Sequence, residues 1–190
     1  MCESGHCTGK CRCREAQGRA RAATEYGDAR GGGDARRCPC YARRSMATIR
    51  NATLADLPAI RDLLEAAGLP SEGVEAAIAD FYVHESAGAL NGAAGVELYG
   101  AEGLLRSVAV AADAQRQGIA ARLCVRVTAH ATEKGCQTLY LLTPDAAAYF
   151  ERAGFEITSR VTAPQSIREC PEFVSLCPAS AVLMRKRLVG

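Results

Sequence analysis

The sequence has no apolar run approaching the roughly 20 residues that a membrane-spanning helix requires. It lacks the apolar core of a signal peptide near its start, and no segment repeats another. Its formal net charge is only +2, and the chain after residue 45 is mildly acidic, which argues against a nucleic-acid-binding domain. We therefore expect a cytoplasmic protein that binds neither nucleic acid nor membrane. A monomer and a homodimer both stay open.

Cysteine and positive charge are concentrated at the N-terminal end of the chain. Residues 1–45 hold six of the ten cysteines, together with ten basic and five acidic residues. This segment has neither helical nor strand periodicity. We therefore expect residues 1–46 to be a disordered extension rich in Cys, Arg and Gly, and residues 47–190 to form the domain.

The domain alternates helical and extended segments, which predicts an α/β (α+β) fold with a mixed central sheet of six to seven strands flanked by about four helices. Thr53 and Asp56 are placed to cap the first helix. The predicted helices cover residues 54–67, 71–80 (a weaker one), 118–133 and 146–152, and the predicted strands begin at Ile49 and cover 81–85, 92–98, 104–110, 138–142, 155–161 and 181–187.

The most informative stretch joins the strand Leu-Leu-Arg-Ser-Val-Ala-Val to a turn that contains Gly118 and opens a helix. Unpaired backbone N–H groups converge where such a helix begins, and the helix dipole favours an anion there. Glycine also lets a ligand approach the backbone closely. The turn therefore predicts a diphosphate site. Strand alternation would place Arg106, Val108 and Val110 on one face.

The spacing Gln-x-x-Gly-x-Ala after this strand resembles the coenzyme A signature of the GNAT acetyltransferase superfamily, as does the later block Phe-Glu-Arg-Ala-Gly-Phe at residues 150–155. The resemblance implies the GNAT fold, acetyl-CoA as co-substrate without a metal, and direct acetyl transfer to an amine in a ternary complex. It also implies that backbone groups hold the pantetheine arm and the diphosphate. The residues concerned are Val108 and Val110 for the arm and Arg116, Gln117, Gly118, Ile119, Ala120 and Ala121 for the diphosphate.

The chain departs from the family where many members place a tyrosine as general acid for the departing thiolate. Here that position is Phe150, and the phenol stands one residue earlier, at Tyr149. Adjacent helix residues point about 100° apart. Either Tyr149 reaches the thiolate by a local shift and acts as the acid, or the thiolate leaves unassisted, as its ordinary pKa allows. The alternative for Tyr149 is a packing role in the core or at the surface.

The attacking amine must lose a proton, and Glu97 is our candidate for the base, directly or through water. The alternative is that Glu97 is the exposed member of an alternating strand, since both of its neighbours in the chain are apolar. His84 and His130 are alternatives, although a lone histidine is more often structural. Arg106 is costly to bury inside an apolar strand unless it meets an anion. It would hold an acceptor carboxylate or oxyanion through its planar fork, or form an internal ion pair with Glu97 or another acid.

The C-terminal block at residues 166–184 and the strands Leu-Leu-Arg-Ser-Val-Ala-Val and Leu-Tyr-Leu-Leu-Thr are similar to the second subfamily of ArsN-type arsenic resistance N-acetyltransferases. That resemblance implies acetylation of the α-amine of a small, toxic amino acid containing arsenic or phosphorus, and a role in detoxification. Arg106 and Arg168 would then anchor the acceptor, with a solvated loop charge as the alternative for Arg168. A non-catalytic acyl-CoA-binding or arsenic-responsive module is the competing interpretation.

The thiols offer no recognisable metal spacing inside the domain, so Cys170 and Cys177 are interpreted as small buried hydrophobes. In the extension, the spacing of Cys7, Cys11 and Cys13 suits a soft metal or arsenite better than a disulfide, although it lacks the Cys-x-x-Cys knuckle. The alternative is that the extension has no function.

Overall fold

A computed structural model describes residues 47–188. The disorder predicted for residues 1–46 and the thiol site predicted at Cys7, Cys11 and Cys13 lie outside the described residues. In chain order the elements are β1 (Thr48–Asn51), α1 (Leu57–Ala66), β2 (Phe81–Ser86), β3 (Ala89–Tyr99), β4 (Glu102–Val110), α2 (Ile119–Glu133), β5 (Thr138–Thr143), α3 (Ala147–Arg152), β6 (Glu156–Ile157), α4 (Gln165–Arg168) and β7 (Val182–Arg187).

The seven strands form one sheet in the order β1-β2-β3-β4-β5-β7-β6. Every neighbouring pair is antiparallel except β4 and β5, which run parallel. The predicted α/β class, with a mixed sheet of six to seven strands and about four helices, is therefore confirmed. No helix among residues 47–188 combines the length and apolar character that crossing a membrane would take.

The parallel strands β4 and β5 pair only at their beginnings, from Glu102 opposite Thr138 to Leu104 opposite Tyr140. Beyond these residues the register ends, and the two strands diverge. Hydrogen-bonding groups on the facing edges of β4 and β5 are thus left without a strand partner in the middle of the sheet. The divergence opens a wedge, which positions the candidate site.

A bulge in β4 changes which side chains share a face. Ala93 pairs with Ala109, but the register then shifts and Gly95 pairs with Arg106. Ser107 takes a left-handed backbone conformation at φ 56°, which adds one residue to the strand. Val108 and Val110 consequently pack on the same side as Leu105, against α2. The prediction that Arg106, Val108 and Val110 share a face is wrong.

Two predicted elements are also corrected. The segment from Ser71 forms successive turns and only a short 3-10 helix at Ile78–Asp80, because Gly73 adopts a left-handed φ of 79° that interrupts helical geometry. The strand expected at 155–161 is reduced to the two residues of β6. No pattern in the sequence indicates α4 or the π-helical turn Glu172–Leu176 that follows it.

The core lies on both faces of the sheet. α1 packs Ile60 and Leu64 on one face, whereas α2 packs Leu123 and Val127 on the other. The predicted cap of the first helical turn is present, because the Asp56 carboxylate accepts hydrogen bonds from the Thr53 N–H and O–H at 2.8 Å each. A third cluster anchors the C-terminal segment through residues such as Leu104, Ile167 and Leu183.

Candidate active site

The wedge between β4 and β5 is a cleft of about 390 Å³. One end reaches Gln115, just before α2, and the other reaches Glu172 on the π-helical turn. The cleft therefore runs from the predicted anion site to a buried carboxylate. Its walls are formed by residues 67–70, 105–110, 141–146 and 176–178, together with Gln115, Phe150 and Glu172.

The turn before α2 has the geometry expected of an anion site. Gly118 is the N-cap residue of α2 and has a left-handed φ of 75°. No described side chain caps this helix end. Arg116 is also left-handed, at φ 61°, and residues 115–118 are exposed. The first N–H groups of α2 are thus free to bind an anionic ligand.

Two features explain why residue 118 is a glycine: its backbone conformation and the open space beside it. A Cβ atom placed there would meet nothing within 4 Å among the described residues, so that part of the chain leaves the position open to a ligand. A non-glycine residue would be strained at this φ. An open glycine, an uncapped helix end and an unpaired strand edge together fit an extended ligand that carries amides and phosphates.

The other predicted cofactor residues surround the same turn. Val108 and Val110 line the cleft, and the Gln115 side-chain amide donates to the Val110 carbonyl at 3.3 Å. The Gln117 amide donates to the Asp113 carbonyl at 3.4 Å, which braces the turn. Ile119 is buried and anchors the helix, whereas the adjoining Ala120 is half-buried and Ala121 is exposed.

Arg106 lies inside a cluster of acceptors. Its side chain is 1% exposed and forms ion pairs with Glu97 through Nη1 and with Glu172 Oε1 at 2.9 Å from Nε. Nη2 donates to the Glu72 carbonyl at 2.7 Å, and Nε donates to Ser107 Oγ at 3.3 Å. The structure thus contains the internal ion pair that was the alternative to an acceptor anchor.

Glu97 lies behind the wall of the cleft. Its Oε1 binds Arg106, and its Oε2 accepts the Tyr99 hydroxyl at 2.6 Å. Burial and the Glu97 carboxylate raise the pKa of Tyr99, so the phenol stays protonated and remains the donor. The assignment of Glu97 as the base stays a prediction, with both of its oxygens already engaged.

Glu172 is the residue that sequence reasoning missed. It lines the cleft and its side chain is 6% exposed. Burial raises its pKa and the Glu97 charge adds to the rise, while Arg106 opposes it. No local pattern marks this residue, because it reaches the site through tertiary packing of an irregular segment.

Phe150 lines the cleft and belongs to the core cluster around α2, and the Tyr149 side chain packs against the same cluster without lining the cleft. The Tyr149 hydroxyl is buried and makes no hydrogen bond of normal geometry among residues 47–188, although the Cys124 thiol lies near enough to interact with it. Burial raises the pKa of Tyr149, and it raises the pKa of the nearby Cys124 thiol to about 11. The structure therefore brings Phe150, not the phenol, to the cleft, and the acid role of Tyr149 stays a prediction.

Both histidines are held by structural hydrogen bonds. His130 Nε2 donates to Asp80 Oδ1 at 2.7 Å, and its Nδ1 accepts the Tyr82 hydroxyl at 3.2 Å. His84 Nδ1 donates to the Asn91 side chain, and its Nε2 accepts from Arg122 at 3.2 Å. Neither ring lines the cleft, so the structure favours the structural interpretation of both.

Arg168, Cys170 and Cys177 differ in their burial and in whether they line the cleft. Arg168 is exposed and does not line the cleft, which matches a solvated loop charge, and its anchor role stays a prediction. Cys170 is buried, as expected for a small hydrophobe. Cys177 is half-buried and lines the cleft, and burial raises the pKa of its thiol to about 11. Neither sulfur is activated as a thiolate.

The chain is similar to known acetyltransferases in sequence. Residues 77–157 match the acetyltransferase (GNAT) domain family. An uncharacterized N-acetyltransferase from Chlorobaculum tepidum is 28% identical over 151 residues, which cover 74% of this chain and 96% of that protein.

Two solved structures extend the comparison. N-acetylglutamate synthase from Neisseria gonorrhoeae, complexed with coenzyme A and N-acetyl-glutamate, is 25% identical with a TM-score of 0.67; the match covers 77% of this chain and 36% of the synthase. Rv2747 from Mycobacterium tuberculosis, in complex with CoA and NLQ, has a TM-score of 0.66 at 21% identity, over 75% of this chain and 99% of that protein. The chain spans about a third of the length of the synthase.

Proposed function

The chain contains an acetyltransferase domain of the GNAT family, and we propose that it is an N-acyltransferase. Acetyl-CoA is the donor. The diphosphate binds the N–H groups of residues 116–121, and the pantetheine arm lies along β4 beside Val108 and Val110. Two similar proteins that were solved with CoA support this assignment, and the turn before α2 offers the uncapped N–H groups that it needs.

One observation carries the proposal: a single cleft is lined both by Gln115, at the anion end, and by Glu172, at the buried carboxylate. A donor held at α2 would extend its thioester toward the carboxylate end. The acceptor amine would meet the thioester carbonyl there, and direct attack in a ternary complex transfers the acetyl group. Phe150 supplies no proton, so the thiolate leaves without help from a phenol at that position.

The finer proposal concerns the acceptor. We propose the α-amine of a small amino acid, in line with the synthase complexed with N-acetyl-glutamate. The similarity of residues 166–184 to the ArsN-type enzymes extends the proposal to arsenic- or phosphorus-containing amino acids and to resistance as the biological role. A cytoplasmic site of action follows from the same role.

The ion pairs of Arg106 favour a second acceptor class. Glu97, Glu172 and the Glu72 carbonyl already occupy this guanidinium, so an acceptor carboxylate would have to displace one of them. An amine without a carboxylate needs no such exchange. A non-catalytic acyl-CoA-binding module is the remaining alternative.

The decisive experiment measures thiol release from acetyl-CoA with a panel of acceptors. The panel pairs L-glutamine with its decarboxylated amine, which carries no carboxylate, and an organophosphorus amino acid with the matching aminoalkyl compound. Release that requires the carboxylate supports the amino acid proposal, and equal release from both partners supports the second class. Acetyl-CoA binding by calorimetry without release from any acceptor would contradict an enzymatic role.

A further inference from the structure

We propose that Glu172 is the general base of the transfer, taking a proton from the acceptor nitrogen, and that Arg106 is the residue that positions it. This inference rests on the proposed acetyl transfer and names a catalytic residue for it. Glu172 stands on the π-helical turn, far along the chain from the strand that carries Glu97.

The surroundings of Glu172 leave one oxygen available. Its side chain is more than nine-tenths buried, and Oε1 lies 2.9 Å from Arg106 Nε. Oε2 has no polar partner among residues 47–188. The only fully buried side-chain oxygen or nitrogen without a partner in that range is Tyr149 Oη, so Oε2 must be partly accessible. Glu172 also lines the cleft, so an acceptor bound there would lie beside this carboxyl group.

Arg106 fixes the direction of that oxygen. Its Nη1 and Nη2 are held by Glu97 and by the Glu72 carbonyl, so the guanidinium cannot turn away. Nε then holds Oε1 of Glu172, which leaves Oε2 as the oxygen that can take a proton. Glu97 therefore serves the site by restraining Arg106, with both of its own oxygens occupied.

The proton transfer balances simply. The lone pair of the neutral amine forms the N–C bond to the thioester carbonyl carbon, and the C–S bond breaks with its electron pair on sulfur. The nitrogen loses one proton to Oε2 of Glu172. That proton then passes to the thiolate of CoA, directly or through water, and restores the carboxylate.

The electrostatics of the site agree with this role. The groups that face Glu172 are the guanidinium of Arg106, the carboxylate of Glu97 and the thiols of Cys170 and Cys177. Both thiols have raised pKa values and stay neutral. Burial and Glu97 raise the pKa of Glu172 more than Arg106 lowers it, which brings the carboxyl closer to the pH at which a base works best.

The test compares Glu172→Gln with Glu97→Gln, two isosteric changes on either side of Arg106. For Glu172→Gln we expect kcat to fall by about 100-fold or more, the acidic limb of the pH–kcat/KM profile to disappear, and the Kd of acetyl-CoA to stay within about twofold. For Glu97→Gln we expect a fall of less than about tenfold with the acidic limb retained. Glu172→Asp keeps the carboxylate with a shorter reach, and should be slow but retain the limb.

Arg106→Lys tests the positioning role. Lysine keeps the charge but lacks the rigid planar guanidinium that fixes the directions of its acceptors, so the acidic limb should move to higher pH while acetyl-CoA still binds. Glu172→Gln with wild-type kcat, or with an unchanged acidic limb, would overturn the inference alone. Wild-type protein without acceptor-dependent thiol release would overturn the proposed function as well.

Discussion

The rings of Tyr149 and Phe150 meet edge to face, with centroids 5.1 Å apart and planes inclined by 82°. Phe150 lines the cleft, whereas Tyr149 does not line it and has a buried hydroxyl. Two adjacent residues of α3 therefore differ in role: Phe150 contributes apolar surface to the cleft, and Tyr149 holds a phenol without a hydrogen-bond partner in the described part of the chain.

Tyr149→Phe should therefore stabilise the protein. Removing a buried hydroxyl without a hydrogen-bond partner should raise the free energy of unfolding by about 1 kcal/mol, as measured by urea denaturation. We expect kcat for acetyl transfer to stay within about twofold, because the phenol does not line the cleft. A loss of kcat above about tenfold would instead assign Tyr149 as the catalytic acid.

Gly118→Asp should weaken acetyl-CoA binding by roughly 100-fold or more, because like charges about 4 Å apart repel by several kcal/mol near a protein surface. Aspartate tolerates the left-handed conformation better than most residues. Gly135→Asp is the matched control, since Gly135 is also left-handed, at φ 85°, and a Cβ atom there would likewise meet nothing within 4 Å. Equal acetyl-CoA affinity for the two variants, measured by calorimetry, would refute the diphosphate assignment.

Glu172→Gln should change how stability depends on pH. The pKa of Glu172 is raised in the folded protein, so the folded state holds this proton more tightly than the unfolded state. Wild-type stability therefore falls as pH rises from the unfolded pKa of about 4.3 through the folded pKa. The free energy of unfolding of the wild type should therefore fall relative to that of the variant between pH 4 and pH 7. Urea denaturation of both proteins at both pH values would check this, and an equal difference in unfolding free energy at pH 4 and pH 7 would contradict it.

Asp56→Asn should have the opposite pH dependence. Hydrogen bonds from Arg50 and Thr53 hold the pKa of Asp56 well below its usual range, so its stabilising contribution is present above pH 4 and is lost as pH falls further. At pH 7 the variant should lose about 1 kcal/mol of unfolding free energy. At pH 2.5, closer to the folded pKa, the loss should be much smaller, and thermal melts at both values would check this.

The sequence predicted best those features that depend on local signals. Gly118 and Gly135 bracket α2, and the apolar stripe of Leu123 and Val127 places it on the sheet. The bulge at Ser107 was missed, since nothing in a serine marks a left-handed residue within a strand. Glu172 was missed for another reason, because its role depends on the C-terminal segment packing over Arg106.

The short pairing between β4 and β5 has a practical consequence for handling the protein. Past Leu104, a strand in the middle of the sheet has the open hydrogen-bonding edge of a border strand, which is the usual starting point for chains to join one another. An occupant with amide groups would shield that edge. Purification in the presence of coenzyme A should therefore reduce self-association at high concentration, and light scattering with and without it would show the difference.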